Sequence, residues 1–251
     1  MNESPGAMAY FLDIDGTLID FGDSPARTRL AAAHRRLLQR LRRRTGGAVA
    51  IVSGRSIADI DRIFRTSAWP AAGQHGAERR DARGRHSRIA AAHRSLSRVR
   101  AALADAVANH PGLVLEDKGH SIALHYRNAP RLAAYAHRLV RAQLPVLGST
   151  YCVQRGKRVV ELNPAGRDKG AAVLAFMRET PFRGRTPVFV GDDLTDEYGF
   201  QTVNALGGVS VKVGRGATAA AMRVRDVRSV WEWLARGGAL PRGTAIRRSA
   251  R

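Results

Sequence analysis

Phe11-Leu12-Asp13-Ile14-Asp15-Gly16-Thr17-Leu18 is the stretch that decides the fold of this chain. Two carboxylates one residue apart follow the apolar run Ala9-Tyr10-Phe11-Leu12, and a glycine then lets the backbone turn away. The run predicts a buried parallel strand, which puts the pair at its C-terminal end, where open α/β sheets bind their ligands. An Asp-x-Asp taken alone is equally a turn or a helix cap. Here three further motifs follow in order: Val52-Ser53-Gly54-Arg55 after the next apolar run, Asp168-Lys169-Gly170 opening a helix, and Gly191-Asp192-Asp193-Leu194-Thr195-Asp196-Glu197 after a third strand. Together they supply a carboxylate nucleophile, a hydroxyl, an ammonium and a second acidic cluster, each just past a strand or at a helix start.

Outward from these motifs, strands and helices alternate. A helix opened by Ser24-Pro25 carries Leu30, Leu37, Leu38 and Leu41 on one face and ends at Gly46-Gly47. The run Ala48 to Val52 predicts a second buried strand, and a helix from about Ser56 carries Ile57, Ile60, Ile63 and Phe64. This alternation predicts a parallel sheet. From about Arg80 the order becomes helix, hairpin, helix, hairpin: Leu96 to Val107, Leu113 to Asp117 with Ser121 to Tyr126, Leu132 to Val140, then Tyr151 to Gln154 with Arg158 to Leu162. That order predicts an antiparallel sheet covered on one face by helices. The parallel core resumes with a helix from Lys169, strands at Pro187 to Val190 and Val209 to Val213, and a last helix with Val227, Val230, Trp233 and Leu234. The expected domains are a core of residues 1–80 with 163–251 and an inserted α+β cap of residues 81–162.

At 251 residues the chain can bury a core with a smaller inserted domain. Its 44% hydrophobic and 25% charged content is that of a soluble globular protein. No apolar stretch approaches the roughly 20 residues needed to span a bilayer. Met1-Asn2-Glu3-Ser4-Pro5 lacks a signal-peptide pattern, and the lone Cys152 cannot form an internal disulfide. A cytoplasmic enzyme is the expectation, and no coiled-coil heptad suggests a long helical dimer seam. The net charge of +21 invites nucleic-acid binding, but the basic residues are nearly all arginine and spread along the chain. The densest runs, Arg40 to Arg44 and Arg247 to Arg251, read as a helix C-terminus and a chain tail. With no aromatic-interleaved basic patch or zinc-finger spacing, neither specific nucleic-acid binding nor a membrane partner is expected.

The four ordered motifs resemble those of the haloacid dehalogenase superfamily of phosphotransferases. The longer strings Gln74-His75-Gly76-Ala77-Glu78, Glu161-Leu162-Asn163-Pro164 and Gly191 to Glu197 are similar to those of its trehalose-6-phosphate phosphatases. The resemblance spans about Ala9 to Leu234 and implies a Rossmann-like parallel-sheet core with a cap that selects the substrate. It implies that Asp13 attacks phosphorus and forms an aspartyl-phosphate, and that Asp15 protonates the leaving sugar oxygen and later accepts a proton from water. Thr17 would fix the loop through its hydroxyl, while Ser53 and Lys169 would hold the transferring phosphoryl group.

A bare carboxylate facing a phosphate dianion is repelled, and Mg²⁺ offsets this, since it takes a few carboxylates plus phosphate oxygens and water. The family pattern implies the Asp13 side chain, the Asp15 backbone carbonyl and the Asp192 side chain as ligands. Asp196 would act behind them, and Asp193 would orient Lys169. Glu116 and Lys118, two apart, leave the same face of a strand. With Glu161 they match, by resemblance, the contacts to the glucosyl unit remote from the phosphate; Arg55 and Arg127 complete the expected substrate-binding set. His125 is expected to be structural, and His75 to line the site or bond a backbone carbonyl. The implied reaction is Mg²⁺-dependent hydrolysis of trehalose 6-phosphate. Another sugar-phosphate phosphatase of the superfamily, for instance one acting on sucrose phosphate, shares the chemistry but not the substrate. A basic nucleic-acid-binding protein on an inactivated phosphatase fold is the alternative of a different class; the full set of catalytic motif residues argues against it.

Overall fold

A computed structural model describes residues 8–20, 29–88 and 93–238. The features at Met1-Asn2-Glu3-Ser4-Pro5, Ser24-Pro25 and Arg247 to Arg251 lie outside the described residues. The chain runs through β1 (Met8–Leu12), α1 (Ala32–Arg44), β2 (Val49–Val52), α2 (Ile57–Phe64), β3 (Ala71–Gly73), β4 (Glu78–Arg80) and β5 (His86–Arg88). Then come α3 (His93–Ala108), β6 (Val114–Asp117), β7 (Ile122–His125), α4 (Ala133–Arg141), α5 (Leu144–Leu147), β8 (Tyr151–Gly156) and β9 (Val159–Pro164). It closes with α6 (Lys169–Met177), β10 (Thr186–Gly191), α7 (Asp196–Ala205), β11 (Val209–Val213), β12 (Met222–Val224) and α8 (Val227–Ala235). Two compact units result, residues 1–87 with 168–251 and residues 88–167. Their boundaries fall some residues beyond 80/81 and 162/163, because β5 extends the first sheet and β9 runs on to Pro164. No helix among the described residues is long and apolar enough to cross a membrane.

The first unit is an α/β fold around a sheet of order β12-β11-β10-β1-β2-β3-β4-β5. Strands β12 to β3 pair in parallel and β4 returns antiparallel to β3. Every residue of β1, β2 and β11 is buried, as strands covered on both faces require. Alternation sorts the side chains: Met8, Tyr10 and Leu12 join one apolar cluster with α1, α2 and α8, while Ala9 and Phe11 join the other with α6 and α7. In the second cluster Phe11 stacks on Phe182 with ring centres 5.5 Å apart, and Phe189 meets Phe200 edge-on at 5.7 Å. Strand order reverses beside β1, so the C-terminal ends of β1 and β10 flank the crevice where such sheets bind ligands.

Helix α1 departs from expectation. Leu38 and Leu41 form its buried face, but Leu30 is buried ahead of its first residue, Ala32. Strands β3 to β5, α7 and β12 were not foreseen. Strand β4 is Glu-Arg-Arg, with no apolar run, and it is held by charge: buried Arg80 grips Asp61 at 2.6 and 2.8 Å and bonds the Trp69 carbonyl at 2.8 Å.

The second unit is α+β, an antiparallel sheet of order β6-β7-β9-β8. Ile122, Leu124, Val160 and Leu162 pack with Leu96, Val99 and Leu103 of α3 and Ala136 and Val140 of α4. On the opposite face the strand register sets Glu116 beside Ala123, Ala123 beside Glu161, and Glu161 beside Gln154.

Phe189→Ala removes a fully buried ring from β10, and urea denaturation should show a loss of about 3–5 kcal/mol. A loss below about 1 kcal/mol would mean that the cluster under β10 collapses into the gap.

Candidate active site

Asp13 follows the last residue of β1 and is 4% exposed; its backbone N–H still donates to the Val190 carbonyl of β10. The chain then folds into a tight turn, with Gly16 N–H bonded to the Ile19 carbonyl at 2.7 Å. Gly16 has φ +76°, and a Cβ there would stand 2.3 Å from Asp192 Oδ2, so only glycine allows this turn beside that carboxylate. Thr17 is fully buried and its hydroxyl donates to Asp13 Oδ2 at 3.4 Å. Asp15 points another way: Arg55 holds both its oxygens, at 2.6 Å each. Arg55, placed by the sequence in the expected substrate-binding set, is paired here with an acid, Asp15. The Asp15 side chain remains 31% exposed, open to a further partner.

The Asp168-Lys169-Gly170 motif has a structural logic at each position. Asp168 caps α6 by accepting the Ala171 N–H at 2.8 Å. Gly170 lets α6 lie against α7, for a Cβ there would meet Thr202 Oγ1 at 2.3 Å and the Tyr198 carbonyl at 2.6 Å. That approach brings the Lys169 ammonium between two carboxylates, Asp13 Oδ1 at 2.8 Å and Asp196 Oδ1 at 2.6 Å. Asp196 spends its other oxygen on the N–H groups of Asp192 and Asp193, each at 2.8 Å. The carboxylate that orients Lys169 is thus Asp196, where Asp193 was expected.

Asp13, Asp192 and Asp196 each present a carboxylate oxygen, the three within 4.8 Å of one another. One ammonium between such groups leaves the cluster short of positive charge. Burial raises the Asp13 carboxyl well above its ordinary range; Lys169 pulls against this, while Asp196 and Asp192 add to it. Burial alone would lower Lys169, but its contacts with Asp13 and Asp196 outweigh that and hold it above the ordinary lysine range. An all-oxygen, acidic, largely buried donor set of this kind fits a small hard divalent cation.

Ser53, 1% exposed, lies just past β2, and its hydroxyl accepts the Arg55 N–H at 3.2 Å. The Gln74-His75-Gly76 turn braces this loop: Gln74 N–H bonds the Arg55 carbonyl at 2.9 Å and His75 N–H the Ser53 carbonyl at 3.1 Å. Gln74 and His75 both adopt positive φ, 46° and 55°, a costly conformation for residues other than glycine. Buried Glu78 accepts the Ile57 N–H at 2.9 Å and the Gln74 side-chain amide at 3.2 Å.

In the second unit, Lys118 bonds Glu161 at 2.7 Å and His125 Nε2 meets Glu116 at 2.8 Å. His125 thus partners an acid, and that bond, first among its causes, lowers the Glu116 carboxyl. Asn163 donates its side-chain amide to Gln154 at 2.5 Å and to Glu161 at 3.1 Å. Arg127 is exposed, two residues past β7. Sequence reasoning passed over Gln154, Asn163 as a partner of Glu161, and the buried Lys212; the signal available for Lys212 was a lysine inside an otherwise apolar run.

A sequence profile described as trehalose-phosphatase matches residues 11–227. A trehalose-6-phosphate phosphatase of Escherichia coli (strain K12) is 43% identical over 230 residues, 90% of this chain and 85% of that protein. A probable trehalose-phosphate phosphatase of Sinorhizobium fredii (strain NBRC 101917 / NGR234) is 43% identical over 206 residues, 82% of this chain and 77% of that one. Among solved structures, the C-terminal domain of a trehalose-6-phosphate phosphatase from C. albicans shares the fold with a TM-score of 0.82 at 22% identity, covering 94% of this chain and 93% of that one. A haloacid dehalogenase-like hydrolase from B. subtilis shares it with a TM-score of 0.65 at 14% identity, over 91% and 98% of the two chains.

Lys169→Met leaves Asp13 and Asp196 without their shared counter-ion. In chelator-treated protein the stability should fall by about 3–5 kcal/mol in urea titrations, since one partner of a buried ion pair is lost. With Mg²⁺ added to the assay, turnover of an aryl phosphate should fall roughly 10²–10³-fold relative to the wild type. Wild-type stability in the variant would show that Lys169 does not hold the cluster together.

Proposed function

The chain belongs to the trehalose-phosphatase family, and from that premise we propose that it hydrolyses trehalose 6-phosphate to trehalose and phosphate, with Asp13 as nucleophile and Mg²⁺ as cofactor. The observation that carries the reading is the cluster of buried Asp13 and Asp196 with half-buried Asp192, the Lys169 ammonium lying between Asp13 and Asp196. Three acids and one cation, placed past the ends of β1 and β10, suit in-line transfer of a phosphoryl group.

An Asp13 oxygen forms the bond to phosphorus as the bond to the sugar oxygen breaks, giving an aspartyl-phosphate and free trehalose. Asp15 supplies the proton that the departing alkoxide needs. It then takes a proton from the water that cleaves the aspartyl-phosphate, which returns the site to its starting state. Arg55, bidentate on Asp15, fixes the direction of that carboxyl group through both steps. Lys169 fixes one oxygen of Asp13 and, with the Ser53 hydroxyl, would donate to the phosphoryl oxygens.

The Asp13 and Asp192 carboxylates with the Asp15 backbone carbonyl would hold Mg²⁺, which offsets repulsion between nucleophile and phosphate. Asp196 has both oxygens engaged, which favours a role behind these ligands.

Glu116, Lys118 and Glu161 read the sugar, with Arg127 in support. Glu116 and Glu161 lie two strands apart with Ala123 between them, so their backbones are separated by about 10 Å, two inter-strand spacings. A small residue flanked by two acids and a lysine offers a floor with acceptors and donors for a hexose ring's hydroxyls. This row favours a disaccharide phosphate over a small generic ester.

Phosphate release from trehalose 6-phosphate, sucrose 6-phosphate and glucose 6-phosphate should favour the first strongly and vanish with EDTA. Equal release from all three would keep the core chemistry and discard the substrate. Asp13→Asn should abolish turnover with the fold intact by circular dichroism; normal activity would overturn the nucleophile assignment. Glu116→Ala should lower kcat/KM for trehalose 6-phosphate by about 10–100-fold, the worth of a charged hydrogen bond. It should leave p-nitrophenyl phosphate within about twofold, whereas equal losses on both would count against sugar reading.

A further inference from the structure

Val209-Ser210-Val211-Lys212-Val213 forms β11, and all five residues are buried, the lysine included at 5% exposure. An ammonium placed there needs an acceptor, because lysine is almost never fully buried unless paired. Val209, Val211 and Val213 point into one apolar cluster, so alternation turns Ser210 and Lys212 to the opposite face. The strand register sets Lys212 beside Gly191, the last residue of β10. A Cβ on Gly191 would lie 2.2 Å from Asp196 Cγ, so the Asp196 carboxylate occupies the space which that glycine leaves. The Lys212 ammonium donates to the backbone carbonyl oxygen of Asp192.

That carbonyl and the N–H of Asp193 belong to one planar peptide unit. The N–H end donates to Asp196 Oδ2 at 2.8 Å, and the carbonyl end accepts from Lys212. The unit is therefore held between a negative charge on its donor and a positive charge on its acceptor. Turning it over would set the carbonyl against the Asp196 carboxylate and the N–H against the ammonium, so both contacts would become repulsive. Fixing this peptide fixes the backbone from which the Asp192 side chain projects towards Asp13.

We propose that Lys212 is a positioning residue for Asp192: with Asp196 it locks the Asp192–Asp193 peptide and so aims the Asp192 carboxylate at the cation. The inference rests on the reading of Asp13 and Asp192 as metal ligands, and it assigns Lys212 no contact with substrate. Its charge also brings a second buried ammonium to the end of the sheet where three carboxylates converge.

Mn²⁺, a paramagnetic hard cation, probes the site without substrate. Its dissociation constant, read by electron paramagnetic resonance of free Mn²⁺, should rise about 10–100-fold in Lys212→Met, the usual effect of losing a partner behind a ligand. Lys212→Arg, which keeps a charged donor, should recover part of that loss. Ser210→Ala, on the same strand and face, should bind as wild type and so controls for general loosening of β11. Should Lys212→Met fail to fold, Lys212→Gln carries the comparison, with an expected weakening of about tenfold. Unchanged Mn²⁺ affinity in a folded Lys212→Met or Lys212→Gln protein would overturn the proposal, as would an equal loss in Ser210→Ala. Absence of Mn²⁺ binding by the wild type would overturn the metal reading itself, and this proposal with it.

Discussion

One ammonium shared by two carboxylates is the constraint around which the core is built. Lys169 reaches Asp13 and Asp196 at 2.8 and 2.6 Å, and these residues come from the start of α6, the end of β1 and the start of α7. Burying three such charges in an apolar sheet end is stabilising only if each finds its partner at hydrogen-bonding distance. The pairing therefore fixes how closely α6 and α7 approach and ties both to β1. With Asp192 close by, the cluster carries more acid than base; burial first raises the Asp13 carboxyl, Lys169 pulls against it, and Asp196 and Asp192 add to the rise. A buried site short of positive charge has the chemistry that fits a small hard divalent cation.

The two units present their polar groups in different ways that follow from their sheets. A parallel sheet covered on both faces leaves only its strand ends for polar groups, so the first unit gathers its carboxylates past β1 and β10. An antiparallel sheet packed on one face leaves the other for side chains in rows, and the second unit places Glu116, Glu161 and Gln154 in such a row. Strand ends converge on a point and suit a reacting atom. A sheet face spreads its groups over several ångströms, which suits an array of hydroxyls.

Much of this was legible in the residues, and the gaps have physical causes. The buried strands showed as unbroken apolar runs, and α2 showed as Ile57, Ile60, Ile63 and Phe64 at helical spacing behind the Ser56 cap. Strand β4 hid because its residues are charged and its stability lies in the distant partner Asp61. Helix α7 hid because its helical residues Gly199, Phe200 and Val203 are buried within a mixed, polar sequence. Among site residues, the motifs marked Asp13, Ser53, Lys169 and Asp192 through their neighbours in sequence. What they could not mark was pairing across the fold: Arg55 on Asp15, Asp196 rather than Asp193 on Lys169, and Lys212 on the Asp192 carbonyl. Each of these links residues that only the folded chain brings together, by strand order for Arg55 and Lys212 and by the packing of α6 on α7 for Lys169.

The glycines of the motifs show why the pattern is so restrictive. Beside Gly16 the space for a Cβ is taken by the Asp192 carboxylate, beside Gly191 by that of Asp196, and beside Gly170 by the Thr202 hydroxyl and the Tyr198 carbonyl. All three are closer than 2.7 Å to polar atoms rather than to apolar packing. An alanine in an apolar core can often be absorbed by shifting a neighbouring methyl group. Here it would displace a carboxylate or separate α6 from α7, and the Lys169 contacts would lengthen together. The order of glycines and acids in the sequence is thus the imprint of one charge arrangement, which is why four short motifs far apart in the chain can be read as a single site.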